Sequence, residues 1–124
     1  MKDLNSISYE IIGCAYKVHS ELGPGLLEST YEICLEYELQ GRGLKVERQK
    51  VLPVIYKKIK LDAGYRIDLI VENSIILEIK SVEAIHPIHE AQLLTYLKLA
   101  NVKLGILMNF NVTDLKKGLK RMIL

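Results

Sequence analysis

The chain has 124 residues, 49% of them hydrophobic and 26% charged, with a formal net charge of +2. That size and balance suit a soluble globular protein made of one domain, residues 1–124, with a single substantial core. The slight charge neither demands nor excludes nucleic acid, while the lack of a signal peptide or of an apolar run near the roughly 20 residues of a membrane span argues for a cytoplasmic protein that does not engage membranes.

The first helix is predicted from about Ser6 to Leu22, where Ile11, Ile12, Ala15, Val18 and Leu22 recur at helical spacing and Asn5 or Ser6 can cap the start. Gly23-Pro24-Gly25 stops it, because glycine suits the C-cap and proline cannot continue the helix. A second helix opens near Leu26 and runs to Leu39 or Gln40 before Gly41-Arg42-Gly43. Cys14 and Cys34 fall in these apolar helical patterns without CxxC spacing and read as buried, reduced thiols. From Lys45 to Tyr56 the period becomes that of extended chain, with Pro53 marking an edge or bulge. Tyr65–Val71 and Ile75–Lys80 read as strands joined by a short polar turn. His89–Ala100 is predicted helical, Leu104–Phe110 extended, and Asp114 is expected to cap a last helix reaching Met122. The order ααβββαβα predicts an α/β fold (an α+β mixed sheet), a small mixed β-sheet flanked by helices rather than a doubly wound parallel sheet.

Asp68 and the run Glu78-Ile79-Lys80 interrupt two otherwise apolar strands. Ionised side chains are expensive to bury without partners, so this placement calls for a reason. If Glu72-Asn73-Ser74 is a three-residue loop, Val71 faces Ile75, and counting back sets Asp68 opposite Glu78. Opposed residues share a face, and Lys80, two positions on, shares it too, provided no bulge intervenes. A two-residue loop would instead send the two carboxylates to opposite faces. Paired carboxylates repel unless a cation or a proton lies between them. A divalent metal there would hydrolyse a phosphodiester, with Lys80 orienting water or neutralising charge on phosphate. The plainer alternative is a surface hairpin in which Asp68 pairs with Arg66 or Lys80.

Asp68, Glu78 and Lys80 match the acidic-lysine signature of the PD-(D/E)XK nuclease superfamily, although Ile67 stands where its name has proline. Gly25-Leu26-Leu27-Glu28-Ser29-Thr30-Tyr31 fits G-x-x-E-x-x-Y, and the chain resembles the GxxExxY family of that superfamily. The likeness extends through Val18–Gly25, Gly64–Leu69, His89–Leu97 and Leu107–Phe110. It implies a restriction-endonuclease-like core and Mg²⁺-dependent cleavage of nucleic acid, DNA in the first place, with Mn²⁺ able to substitute. It also implies that Asp68, Glu78, the Ile79 carbonyl and Glu28 hold the metal and that Lys80 acts on the water. Gln92 and Tyr96, stacked on one helix face, would support Lys80 or contact the phosphate backbone. Tyr31 would back Glu28 through packing, and Arg66 would meet phosphate or a carboxylate. Cutting both strands often requires two active sites, which makes a homodimer a reasonable partner arrangement.

Other patterns carry less. His86-Pro87-Ile88-His89 has H-x-x-H spacing, but Pro87 disturbs the helix and no further ligands complete a zinc set. His89 either caps its helix or meets phosphate, and His19 sits at a helix C-terminus where the dipole favours it. Lys45, Arg48, Lys50, Lys57, Lys58 and Lys60 form one basic group; Lys116, Lys117, Lys120 and Arg121 are expected to form another on the last helix. Either group suits a phosphate backbone or plain solvent. The rival to catalysis is a catalytically silent nuclease-fold module that binds nucleic acid or a protein partner, and a third class is a structural oligomerisation protein.

Overall fold

The computed structural model describes residues 3–124. Helix α1 (Leu4–Leu22) buries Ile7, Ile11, Cys14, Ala15 and Val18. Of the expected stripe Ile11, Ile12, Ala15, Val18 and Leu22, Ile12 is half-buried and Leu22 exposed, because the buried face is shifted toward Ile7 and Cys14. Asp3, earlier than the expected caps, closes its start by accepting from the Ser6 N–H at 2.8 Å. Gly23 ends it at φ 70°, a left-handed value that glycine adopts freely, and its N–H reaches the His19 carbonyl at 2.8 Å. Helix α2 (Glu28–Gly41) turns Tyr31, Glu32, Leu35 and Leu39 inward. Of the two thiols, Cys14 is buried and Cys34 half-buried, and both are free.

Seven strands follow: β1 (Val46–Val51), β2 (Val54–Tyr56), β3 (Ile59–Leu61), β4 (Arg66–Val71), β5 (Ile75–Lys80), β6 (Leu104–Asn109) and β7 (Leu119–Ile123), with helix α3 (Pro87–Ala100) between β5 and β6. Five of them form a mixed sheet in the order β1-β4-β5-β6-β7, while β2 and β3 form a separate hairpin. Only β5 and β6 run parallel, as the α3 crossover between them allows. Leu69, Val71, Ile75, Leu77, Ile79, Ile106 and Met108 face the α1–α2 layer, together with Tyr31 and Phe110. Ile70, Ile76 and Leu107 face α3 through Leu93, Tyr96 and Leu97. The sheet is therefore covered on both sides, which explains why β5 and β6 are almost continuously apolar.

Two expectations are corrected. The extended stretch from Lys45 to Tyr56 is divided at Leu52-Pro53, and a further strand, β3, follows it. The last helix does not form: Leu115–Gly118 is a short 3-10 turn and Leu119–Ile123 is an edge strand antiparallel to β6. Leu119 packs with the α1–α2 core while Met122 packs on the α3 side, a division across the sheet that a helix could not make. A Cβ on Gly118 would collide with the Asn109 carbonyl oxygen, so the turn is held against β6 at the one residue small enough to fit. The four basic residues of this segment consequently share no helix face, and Lys120 is engaged by Glu90 at 2.6 Å.

Candidate active site

The β4–β5 hairpin turns through Glu72-Asn73-Ser74, with Glu72 and Asn73 both at φ 53° and the Ser74 N–H bonded to the Val71 carbonyl at 2.9 Å. Val71 pairs with Ile75, Ile70 with Ile76 and Leu69 with Leu77, the register that a three-residue loop predicts. The ladder stops there, one pair short of Asp68 and Glu78. Asp68 instead caps the partner strand with its side chain, Oδ2 accepting from the Ile79 N–H at 2.8 Å. Strand alternation also breaks at this point. Ile67 and Ile70, three apart, both pack on the α3 side.

Glu78 is only 5% exposed, and its Oε1 is buried with no hydrogen-bond partner. Burial, followed by the charge and the side-chain hydrogen bond of Asp68, pushes its carboxyl from the ordinary 4.5 up to about 9; the Lys80 ammonium opposes the shift without overcoming it. A buried acid with one oxygen unsatisfied beside a second carboxylate needs a proton or a cation. Tyr96 lies against the same pair: burial raises its phenol pKa, and the Glu78, Tyr65 and Asp68 charges add to the rise. Its hydroxyl lies 3.4 Å from the Gln92 amide nitrogen, which donates to it. Gln92 and Tyr96 also line a groove of about 380 Å³ with Val54, Tyr65, Ile88 and Thr95.

The other expected residues have definite places. Glu28, exposed at the first turn of α2, accepts from the Ser81 N–H at 3.0 Å, one residue past Lys80. Tyr31 is fully buried and stacks on Phe110, their ring centroids 4.6 Å apart. Its hydroxyl donates to the Gly23 carbonyl at 2.6 Å and accepts from the Leu26 N–H at 3.1 Å, closing the glycine turn that delivers Glu28. Arg66 pairs with Asp62 at 3.7 Å and donates to the Tyr65 carbonyl at 3.0 Å. His89 acts as a cap, its Nδ1 accepting from the His86 N–H at 3.0 Å, and His19 Nε2 lies 2.7 Å from the Val112 carbonyl. Among the described residues no three His, Cys, Asp or Glu side chains form a metal-holding group.

Three residues beside this site escaped sequence reasoning. Glu32 is 4% exposed, and burial followed by the Asp68 charge raises its carboxyl pKa, against the hydrogen bonds of Gln49 and Arg48. Gln49 donates to Glu32 Oε1 at 2.8 Å and to Asp68 Oδ1 at 3.4 Å. Asn109, 2% exposed, holds the loop just past Lys80. Glu32 did leave a signal, a carboxylate set within the apolar stripe of Tyr31, Leu35 and Leu39; Gln49 left none.

The mixed sheet, covered on both faces, thus carries Asp68 near the start of β4 and Glu78 and Lys80 at the end of β5. Residues 5–122 match the family model described as the PD-(D/E)XK nuclease superfamily. The chain belongs to that superfamily, and its three helices and five-stranded mixed sheet are those of an α/β restriction-endonuclease-like fold. No curated protein and no solved structure matched it. Among the described residues, no helix is long and apolar enough to cross a membrane.

Proposed function

We propose that the protein is a divalent-metal-dependent nuclease that hydrolyses phosphodiester bonds, with DNA as its substrate. The observation that carries this reading is the buried, unpartnered Glu78 Oε1 beside the Asp68 carboxylate. Nucleases of this superfamily generally use divalent metals. Hard carboxylate oxygens fit Mg²⁺, with Mn²⁺ as a substitute, better than zinc or copper. Mg²⁺ keeps several waters and is commonly held by one or two carboxylates with substrate phosphates, so Asp68 and Glu78 are enough side-chain ligands for it. Asp68, Glu78 and the Ile79 carbonyl would hold the ion, and Glu28 would act through the Ser81 end of β5 or through water.

When bound, the metal supplies Lewis-acid polarisation of the phosphate and a more acidic water. Lys80 then orients the attacking water and offsets charge that develops on the phosphate oxygens. The Ile79 N–H steadies Asp68, while Tyr96 and Gln92 shield one side of the acids and present hydroxyl and amide groups to the backbone. The Gly25–Tyr31 motif supports placement in the GxxExxY branch of the superfamily. The test is cleavage of single- and double-stranded DNA with Mg²⁺, Mn²⁺ or EDTA present. Metal-dependent cleavage is expected; binding without cleavage in either metal would favour the silent-module alternative.

A further inference from the structure

Gln49 lies in the middle of β1 at φ 54°, a left-handed value uncommon for a residue with a side chain and foreign to a strand. The β1–β4 pairing runs in register on both sides of it, through Arg48 with Leu69 and Lys50 with Ile67, but skips the step where Gln49 meets Asp68. Backbone held in such a region persists where surrounding contacts over-determine it, and these positions concentrate at functional sites. Here the contacts are polar. The amide nitrogen of Gln49 reaches Glu32 Oε1 at 2.8 Å and Asp68 Oδ1 at 3.4 Å. An amide carries two hydrogens, enough for one to each carboxylate.

We propose that Gln49 is a positioning residue: its forked amide, anchored on the buried Glu32, fixes the Asp68 carboxylate for the divalent cation. This rests on the metal-dependent reading above. Glu32 is itself anchored, 4% exposed and 3.3 Å from the Arg48 guanidinium, so the fork stands on a fixed post. Asp68 is then held at both oxygens, Oδ2 by the Ile79 N–H and Oδ1 by Gln49, with lone pairs left on each for a metal. The amide also supplies a neutral donor between two carboxylates that would otherwise repel across the gap. Groups that orient a metal ligand in this way typically matter by about 10–100-fold in metal affinity.

The test is Mn²⁺ binding by isothermal titration calorimetry, paired with thermal unfolding in EDTA, for wild type, Gln49→Gly and Gln49→Asn. Glycine accepts the positive φ without strain while deleting the fork; asparagine tolerates it but is one methylene too short to reach both acids. The metal-free melting temperature of Gln49→Gly is expected to stay close to that of wild type, because relief of the left-handed backbone offsets the lost bond to Glu32, which keeps Arg48, while Mn²⁺ binding weakens by about 10–100-fold. A purely structural role would move both readouts together. Should the glycine variant not fold, Gln49→Asn decides by the same measure. Affinity within about threefold of wild type in the deciding variant would overturn the proposal alone. A wild type that takes up no Mn²⁺ would overturn the metal reading and this proposal with it.

Discussion

Asn109 grips Val82 with both ends of its side-chain amide: Oδ1 accepts from the Val82 N–H at 3.1 Å and Nδ2 donates to the Val82 carbonyl at 3.0 Å. The same Oδ1 also accepts from the Asn111 N–H at 3.2 Å, and the Phe110 N–H meets the Lys80 carbonyl at 3.0 Å. The end of β6 thus holds the chain where it leaves β5, two residues past Lys80. Asn109→Ala deletes the bonds to the half-buried Val82, whose carbonyl keeps only the Asn111 amide at 3.4 Å, and is expected to cost about 1–2 kcal/mol. Urea denaturation measures it; a loss under about 0.5 kcal/mol would show that solvent replaces the clamp.

Tyr31 is the residue on which the glycine turn before α2 closes. Tyr31→Phe keeps the stack on Phe110 but deletes the hydroxyl shared by Gly23 and Leu26. The expected loss is about 1–2 kcal/mol in chemical denaturation. A variant as stable as wild type would mean the motif's tyrosine serves through its ring alone.

The C-terminal edge strand depends on Gly118. Gly118→Ala pushes a methyl group into the Asn109 carbonyl and is expected to destabilise by about 1–3 kcal/mol, whereas the exposed Lys117→Ala should change stability by no more than about 0.5 kcal/mol. Equal melting temperatures for the two variants would refute the close approach.

The Glu78 carboxyl gives the metal-free protein a pH dependence of definite sign. The unfolded chain releases this proton near 4.5, while the fold retains it to about 9. The native state therefore binds more protons across that window, and stability falls as pH rises through it, by on the order of 3 kcal/mol at most by pH 7. Glu78→Gln removes this titration and should lessen the fall in melting temperature between pH 5 and 9 in EDTA, leaving the part that the raised Glu32 carboxyl contributes. Divalent ion uptake must displace the same proton, so stabilisation of wild type by Mn²⁺ is expected to grow with pH and to vanish in Glu78→Gln. A wild-type shift with Mn²⁺ that is equal at pH 6 and pH 8.5 would contradict this.

The hairpin register was legible only as a choice between a two- and a three-residue loop, and the fold takes the three-residue one, with Val71 against Ile75. The first helix was legible from spacing and the two N-terminal helices from their glycine and proline stops. Helix α3 starts at Pro87, two residues before the expected His89, since proline suits the first helical position rather than disturbing the helix. The last element was not legible. Leu115, Leu119 and Met122 fit a helical stripe, and only the open edge of β6, a tertiary fact, turns the segment into a strand. The break in the β4 alternation at Asp68 and the Gln49–Glu32 contact lay outside reach for the same reason. Residues 32, 49 and 68 have no common local period, and the fold alone brings them together. Arg66, expected to meet a phosphate or a carboxylate, meets the Asp62 carboxylate four residues earlier.

Mg²⁺-dependent cleavage of single- and double-stranded DNA by wild type and Lys80→Ala, both confirmed folded by circular dichroism, tests the acidic hairpin as an active site. Wild type is expected to cleave in a way that EDTA abolishes, with a loss of about 100-fold or more in the variant. Cleavage unchanged in Lys80→Ala would contradict the assignment of the acidic hairpin as the active site.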